Sequence, residues 1–266
     1  MKHDNKNLRE SFEQAANIYQ QARPDYPEEL FEDLIQATSL TLSDRLLEIG
    51  CATGKATLPL AKRGFNITCI ELGDELAAVA RHNLVGMDVD IINGSFEDWQ
   101  PEAGSGFDLV FAATAWKWVD PDVRYVKAWE VLRPGGHLAF WNAEHVFPDG
   151  GDPFFREIQT VYCKIGEGKP VDKNDWLRPG ELRELREEME QSSLFEVVHV
   201  RHFDWERIYH VEAYIKLLET FSGHILMEEW KRDKLFNEIR VRLNARPDKS
   251  VRRHWGAVLH IARRKD

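Results

Sequence analysis

Between residues 45 and 142 short apolar runs alternate regularly with helix-period segments, and no other feature restricts the fold as much. "RLLEI" (45–49), "NITCIE" (66–71), "VDIIN" (89–93), "FDLVFAA" (107–113) and "HLAFWN" (137–142) have the length and side-chain content of buried strands. The intervening "KATLPLAKRG", "DELAAVARHNL" and "PDVRYVKAWEVLRPGG" carry helical periodicity, with Gly64 and the "RPGG" run placed to end the first and third. Strand–helix–strand alternation of this kind implies parallel βαβ units, and hence a doubly wound α/β sheet with helices on both faces.

After Asn142 the pattern changes. Residues 143–190 are rich in Gly, Pro and charge and end in "GELRELREEMEQS", which has the spacing of an amphipathic helix. "FEVVHVRHFDW" (195–205) alternates as a strand does, 207–247 is helical in period, and "RRHWGAVLHIARR" (252–264) supplies a last strand. The basic residues that open that strand are expected in solvent. The chain therefore reads as one domain over 1–266: a core at 12–142, cap insertions at 143–190 and 206–250, and closing strands at 195–205 and 252–264. Seven strands make up the sheet.

"LLEIGCATGKATLPLA" (46–61) places two glycines between a strand and a helix. Glycine accepts positive φ and admits a ligand close to the backbone, and ligands of open α/β sheets bind beyond the carboxyl ends of strands. Glu71 ends the second strand about twenty residues after the loop, where a carboxylate accepts ribose hydroxyls. The loop is not G-x-G-x-x-G, however. Glu48 stands two residues before Gly50, a carboxylate that repels a pyrophosphate and attracts an amino group or other cationic centre. That charge favours S-adenosylmethionine (SAM) over a nicotinamide dinucleotide.

The net charge of −10 opposes a nucleic-acid partner, whose phosphates require a basic face. No run approaches the roughly 18 apolar residues of a membrane span. Three scattered cysteines without a CxxC pattern fit a reducing compartment, and the expectation is a cytoplasmic protein with no metal centre.

Taken together, these segments resemble the class I SAM-dependent methyltransferases of the small-molecule, type 11-like kind. The family's E/D-x-G-x-G-x-G motif reads Glu48-Ile49-Gly50-Cys51-Ala52-Thr53-Gly54, and its acidic second-strand end is "IEL" with Glu71. "GSFEDW" (94–99), "FDLVFAATAWKWVDP" (107–121), "VLRPGGHLAF" (131–140) and a "YxxxRPxYP" stretch from Tyr19 to Pro27 follow the family order. The resemblance implies a Rossmann-like methyltransferase sheet whose helical insertions cap the active site. It also implies that Gly50, Cys51, Ala52 and Gly54 hold the methionine part, with Glu48 near its amino group. By the same resemblance Glu71 takes the ribose hydroxyls, Leu72 packs on adenine, Ser95 and Phe96 bracket the base, Ala112 lies under the methionine chain, and Arg23 pairs with the cofactor carboxylate.

Three positions depart from the pattern. Ala52 replaces the middle glycine, which is tolerable only at negative φ and away from the ligand. Ser95 stands where many relatives carry Asp, and Lys117 stands in the place of a His before Trp118. Lys117 and His224, the latter in a "TFSGH" interruption of the helical pattern, are the candidate catalytic groups, as anion binder or base. Trp99, Trp116, Trp118 and Trp141 are first of all packing groups.

The expected activity is in-line transfer of the sulfonium methyl to a small-molecule acceptor, which the charge of Lys117, Arg23 and the cap inclines toward an anionic one. A non-catalytic SAM-binding module and a nicotinamide oxidoreductase are the competing readings. A base-amino nucleic-acid methyltransferase is weaker still, because "AATAW" stands where such enzymes carry a "PP[YFW]" motif. Oligomeric state is not legible.

Overall fold

The computed structural model describes residues 16–101, 106–168 and 176–266. Its strands are β1 (Arg45–Ile49), β2 (Asn66–Glu71), β3 (Val89–Asn93), β4 (Phe107–Ala113), β5 (Leu132–Trp141), β6 (Glu144–Val146), β7 (Phe195–His210) and β8 (Ser250–Arg264). The main order is β3-β2-β1-β4-β5-β8-β6, with β7 on the other edge of β8. β1 to β5 pair in parallel, and β6, β7 and β8 join antiparallel. The sheet thus has eight strands rather than seven; the addition is the three-residue β6, too short to leave a periodic signal.

The helices are α1 (Ala16–Ala22), α2 (Glu28–Thr38), α3 (Thr57–Lys62), α4 (Asp74–Asn83), α5 (Arg124–Val131), α6 (Phe154–Lys164), α7 (Arg186–Gln191), α8 (Val211–Glu219), α9 (Ser222–Ile225) and α10 (Glu229–Asn244). One sheet face packs Leu46, Leu109 and Ile261 against Leu30, Phe31 and Leu34 of α2 and Leu60 of α3. The opposite face packs Leu47, Val110 and Leu138 against Tyr125, Ala128 and Val131 of α5 and Met189 of α7. Consecutive strand residues therefore serve opposite faces, and helices cover both, as the unbroken apolar runs require.

A third cluster lies beyond the carboxyl ends of the parallel strands. There α6, α8 and α10 pack Phe154, Ile158, Ile215, Leu218, Leu235 and Ile239 onto Tyr209, Val251 and Trp255 of the β7–β8 ribbon. This is the cap, and its floor is strand, not loop. Two expectations change here. Only Arg186–Gln191 of "GELRELREEMEQS" is helical, while Leu182 ahead of it packs on Val146 and Val258. Arg253, expected in solvent, is 7% exposed, because its strand position faces the cap cluster.

Candidate active site

The crevice opens where β1 and β4 diverge, the point at which the strand order reverses direction. Gly50 follows β1 at φ +68°, and its N–H donates to the Ile70 carbonyl at 2.7 Å. A Cβ there would lie 2.7 Å from the Ala115 Cβ, so glycine is required by the approach of the loop after β4. Ala52 sits at φ +49°, in the left-handed region. Its N–H donates to Glu71 Oε2 at 2.7 Å, and Gly73 N–H donates to Glu71 Oε1 at 2.9 Å. The Glu71 carboxylate thereby ties the first loop to the second.

Around this turn lies a cavity of about 800 Å³, counting its open mouth. Gly50, Ala52, Glu71, Leu72, Ser95 and Phe96 line it, with Arg23 at one end. A smaller recess shares Arg23, Gly50, Ala52 and Thr114 with it and adds Glu48, Cys51 and Tyr26. The predicted cofactor residues are thus largely brought together. Two are not. Ala112 is wholly buried in the core on the α5 side, and the wall is built instead by Ala113 and Thr114. Gly54, at φ +85°, packs on Leu84 rather than on the cavity, with Leu84 Cδ1 2.9 Å from where its Cβ would be.

Charge in the recess is unusual. Glu48 is 1% exposed; Thr57 Oγ1 donates to its Oε2 at 2.6 Å, while Oε1 is buried without a partner. Burial, opposed in part by the Thr57 hydroxyl, pushes its carboxyl up to about 8. Arg23 is clamped between the rings of Tyr19 and Phe221, its guanidinium carbon 5.2 and 4.4 Å from their centroids. One amino group donates to the Thr220 carbonyl at 2.6 Å, and Nε is buried without a partner. An acceptor oxygen and a donor nitrogen, both unsatisfied, therefore flank one recess. That is the complement of an α-amino acid.

Ser95 donates to Asp98 Oδ2 at 2.7 Å and accepts from the Asp98 N–H, so its hydroxyl is spent on the turn after β3. Lys117 is exposed with its ammonium 5.5 Å from the Trp118 ring, and Trp118 rather than Lys117 reaches the cavity. His224 is not among the crevice-lining residues and is separated from Arg23 by the Phe221 ring. It lines a second cavity with Glu219, Arg232 and Arg240, and its Nε2 meets the Tyr162 hydroxyl at 2.8 Å. Burial lowers its pKa to about 4, with Arg253 adding to the effect, so the ring is neutral near pH 7. Neither candidate catalytic group is among the residues lining the crevice, and the ammonium of Lys117 lies within electrostatic reach of Arg23. Val119 and Leu76, which do line it, had no sequence signal beyond their apolar character.

Residues 47–140 match the family profile described as "Methyltransferase domain". An uncharacterized methyltransferase of Mycobacterium tuberculosis is 28% identical over 238 residues, covering 89% of this chain and 87% of that protein. These matches support a class I SAM-dependent methyltransferase. A ubiquinone biosynthesis O-methyltransferase of Xanthomonas axonopodis pv. citri is 35% identical over 97 residues, 35% of this chain and 41% of that protein. Among solved structures, a putative type II methyltransferase from Anaeromyxobacter dehalogenans shares the fold at a TM-score of 0.62, with 21% identity over 91% of this chain and 97% of that one. SAM is the cofactor of this class, and the methyltransferase's crevice fits it: an acidic pair at Glu48 and Glu71, an unpaired Arg23 Nε, and an apolar slot between Leu72 and Phe96.

Proposed function

We propose that the methyltransferase binds SAM along the β1–β4 crevice and transfers its methyl group to a small-molecule acceptor enclosed beneath the cap. The carrying observation is that the unpaired, buried Oε1 of Glu48 and the unpaired Nε of Arg23 belong to residues lining one recess. Glu48 receives the α-amino group and Arg23 the carboxylate, each satisfying an atom whose isolation otherwise costs about 1–3 kcal/mol. Glu71, already fixed by two backbone N–H donors, offers its remaining lone pairs to the ribose hydroxyls. Leu72 and Phe96 hold the adenine from either side.

Bound SAM supplies an electrophilic methyl on a cationic sulfur. The protein's tasks are to align the acceptor's nucleophile behind that methyl at about 3–3.5 Å and to keep water out. Trp118 and Val119 wall the crevice on one side, and Thr114, bonded to Tyr26 at 2.7 Å, on the other. On this reading the described part of 12–142 carries the cofactor and the described parts of 143–190 and 206–250 close over it; residues 12–15, 102–105 and 169–175 lie outside the described residues. The free thiols Cys51 and Cys69 support a reducing, cytoplasmic setting. Among the described residues, no helix is long and apolar enough to cross a membrane, and no His, Cys, Asp or Glu group could hold a metal ion.

Titration calorimetry with SAM and S-adenosylhomocysteine (SAH) tests the cofactor assignment; absence of binding by both refutes it. A nicotinamide cofactor is opposed by Glu48, and an NADH fluorescence titration without response separates the two. Slow transfer from labelled SAM to any member of an acceptor panel separates an enzyme from a binding module.

A further inference from the structure

Against the same Phe221 ring that contacts Arg23 lies a second guanidinium. Arg253 is 7% exposed, and its carbon stands 5.2 Å from the Phe221 centroid and 4.4 Å from that of Trp255. Arg23 touches the same Phe221 ring, so the cation assigned to the cofactor and the buried one are neighbours across a single side chain. From Trp255 the aromatic wall continues to Trp205, stacked at 6.5 Å, and from Trp205 to Tyr26, 6.4 Å away, which borders the recess beside Glu48. These contacts close a ring that begins and ends at the cofactor crevice.

The ring is rich in donors, and the acceptors near Arg253 are the neutral phenols of Tyr162, Tyr209 and Tyr214. Arg253 Nε, Trp255 Nε1 and Trp205 Nε1 are all buried without a partner. Among the described residues, the groups that act on Arg253 are the phenols of Tyr162, Tyr209 and Tyr214, and no carboxylate stands within ion-pair distance. A buried guanidinium is stable when an anion completes it, and leaving it unpaired is strongly destabilising. Two half-buried arginines show the usual solution, Arg246 paired with Asp152 and Arg124 with Glu188. Arg253, like Arg23, has no carboxylate partner among the described residues, and the two guanidinium groups share the Phe221 ring.

We infer that Arg253, with the indole N–H groups of Trp205 and Trp255, binds the carboxylate of a monoanionic, largely apolar acceptor. The inference rests on the methyltransferase reading and adds the acceptor's class to it. One guanidinium among neutral donors matches one negative charge, and its planar fork suits a carboxylate. A phosphate dianion would call for a further cation. The aromatic walls supply the apolar part of the recognition and exclude water. Arg253 is a specificity residue; the nucleophile is another atom of the acceptor or the carboxylate itself, and the proposal holds for both.

The test uses the full chain saturated with SAH, titrated with a panel of aromatic and aliphatic monocarboxylates such as benzoate, phenylacetate and hexanoate, and with the amide of each. Carboxylates are expected to bind and amides to bind at least roughly tenfold more weakly. Arg253→Met is expected to weaken carboxylate binding roughly 30-fold or more while its SAH affinity, which also reports correct folding, stays within about threefold. Trp255→Phe, which removes one N–H and keeps an aromatic ring, is the second variant should Arg253→Met not fold, and a roughly threefold to tenfold loss is expected there. With labelled SAM, the Arg253 loss falls on acceptor KM rather than kcat. Amides binding as tightly as acids, no acid binding across the panel, or full carboxylate affinity in both variants overturns the inference. Failure of the wild-type chain to bind SAH would instead strike the methyltransferase reading beneath it.

Discussion

Ala52→Gly separates two places where backbone strain could act. Ala52 occupies φ +49°, where a Cβ crowds the following carbonyl at a cost of about 1–2 kcal/mol. Glycine removes that cost but returns about 0.4–1 kcal/mol of unfolded-state entropy, leaving a net gain of roughly 0.5–1 kcal/mol. For a chain of this size that is a rise in Tm of about 1–3 °C, measurable by calorimetry at one scan rate. The sequence reading links positive φ at this position to poor cofactor affinity. The structure moves the cost elsewhere: the Ala52 N–H already bonds to Glu71, so the strained turn is formed in the free protein and its energy cancels from binding. SAM affinity should therefore change by less than about threefold in the glycine variant. A variant that binds SAM tenfold more tightly with no gain in Tm would refute this, since the turn would then be forming only with the ligand.

Glu48 couples cofactor binding to a proton. Its carboxyl, raised to about 8, is mostly protonated near pH 7, and pairing with an ammonium group ionises it, so SAH binding should release about one proton, read from calorimetry in buffers of different ionisation enthalpy. Glu48→Gln should abolish that release and weaken SAH at least roughly tenfold. Because the folded carboxyl holds its proton more tightly than the unfolded one, stability of the free protein should fall as pH rises from 4.5 towards 8, by on the order of 5 kcal/mol at most, and Glu48→Gln should flatten that slope in urea titrations. Glu71→Ala should cost roughly 100-fold in SAH affinity, because it removes the ribose acceptor and strands the Ala52 and Gly73 N–H groups together. His224 carries the opposite pH signature: its folded pKa near 4 lies below the usual 6.5, so stability is present above 6.5 and lost as pH falls towards 4. His224→Phe should reduce that acid sensitivity and leave acceptor KM within about threefold, and a collapse of kcat at pH 7 would restore His224 to the chemistry.

The parallel half of the fold was legible because its strands are buried on both faces and so stand out as apolar runs. β7 was cut short at Trp205 in the sequence reading, since in its continuation "ERIYH" the apolar Ile208 is exposed and the buried face carries only Tyr209 beside half-buried Arg207, so no apolar alternation marks the strand. The glycine loop and Glu71 were legible for a different reason: their function is carried by residues close in sequence to a strand end. Ala112 missed by one position, and in a strand one position reverses the face. Lys117 and Trp118 exchange roles in the same way within one short helical turn. Arg253 was unreadable. "RRHW" has no local mark of burial, and the rings that bury it come from residues 162, 209, 214 and 221. Only the folded chain brings them to it.

β8 has a further consequence for how the molecule is made. At 15 residues, paired with a 16-residue β7, it is far longer than the usual strand of about 5–6 residues, and it runs from the middle of the sheet out into the cap. The lining of the cofactor crevice falls within residues 19–119, with Thr220 and Phe221 holding Arg23 from outside that span, whereas β8 must find β5 and β6 more than a hundred positions back in the chain. Such distant pairing is slow to form. A folding intermediate with the glycine loop and Glu71 in place, yet with an open β5 edge and Arg23 not yet clamped by Phe221, is the expected product of this connectivity. The cofactor would then serve as a ligand that stabilises the first half while the second is still being threaded into place.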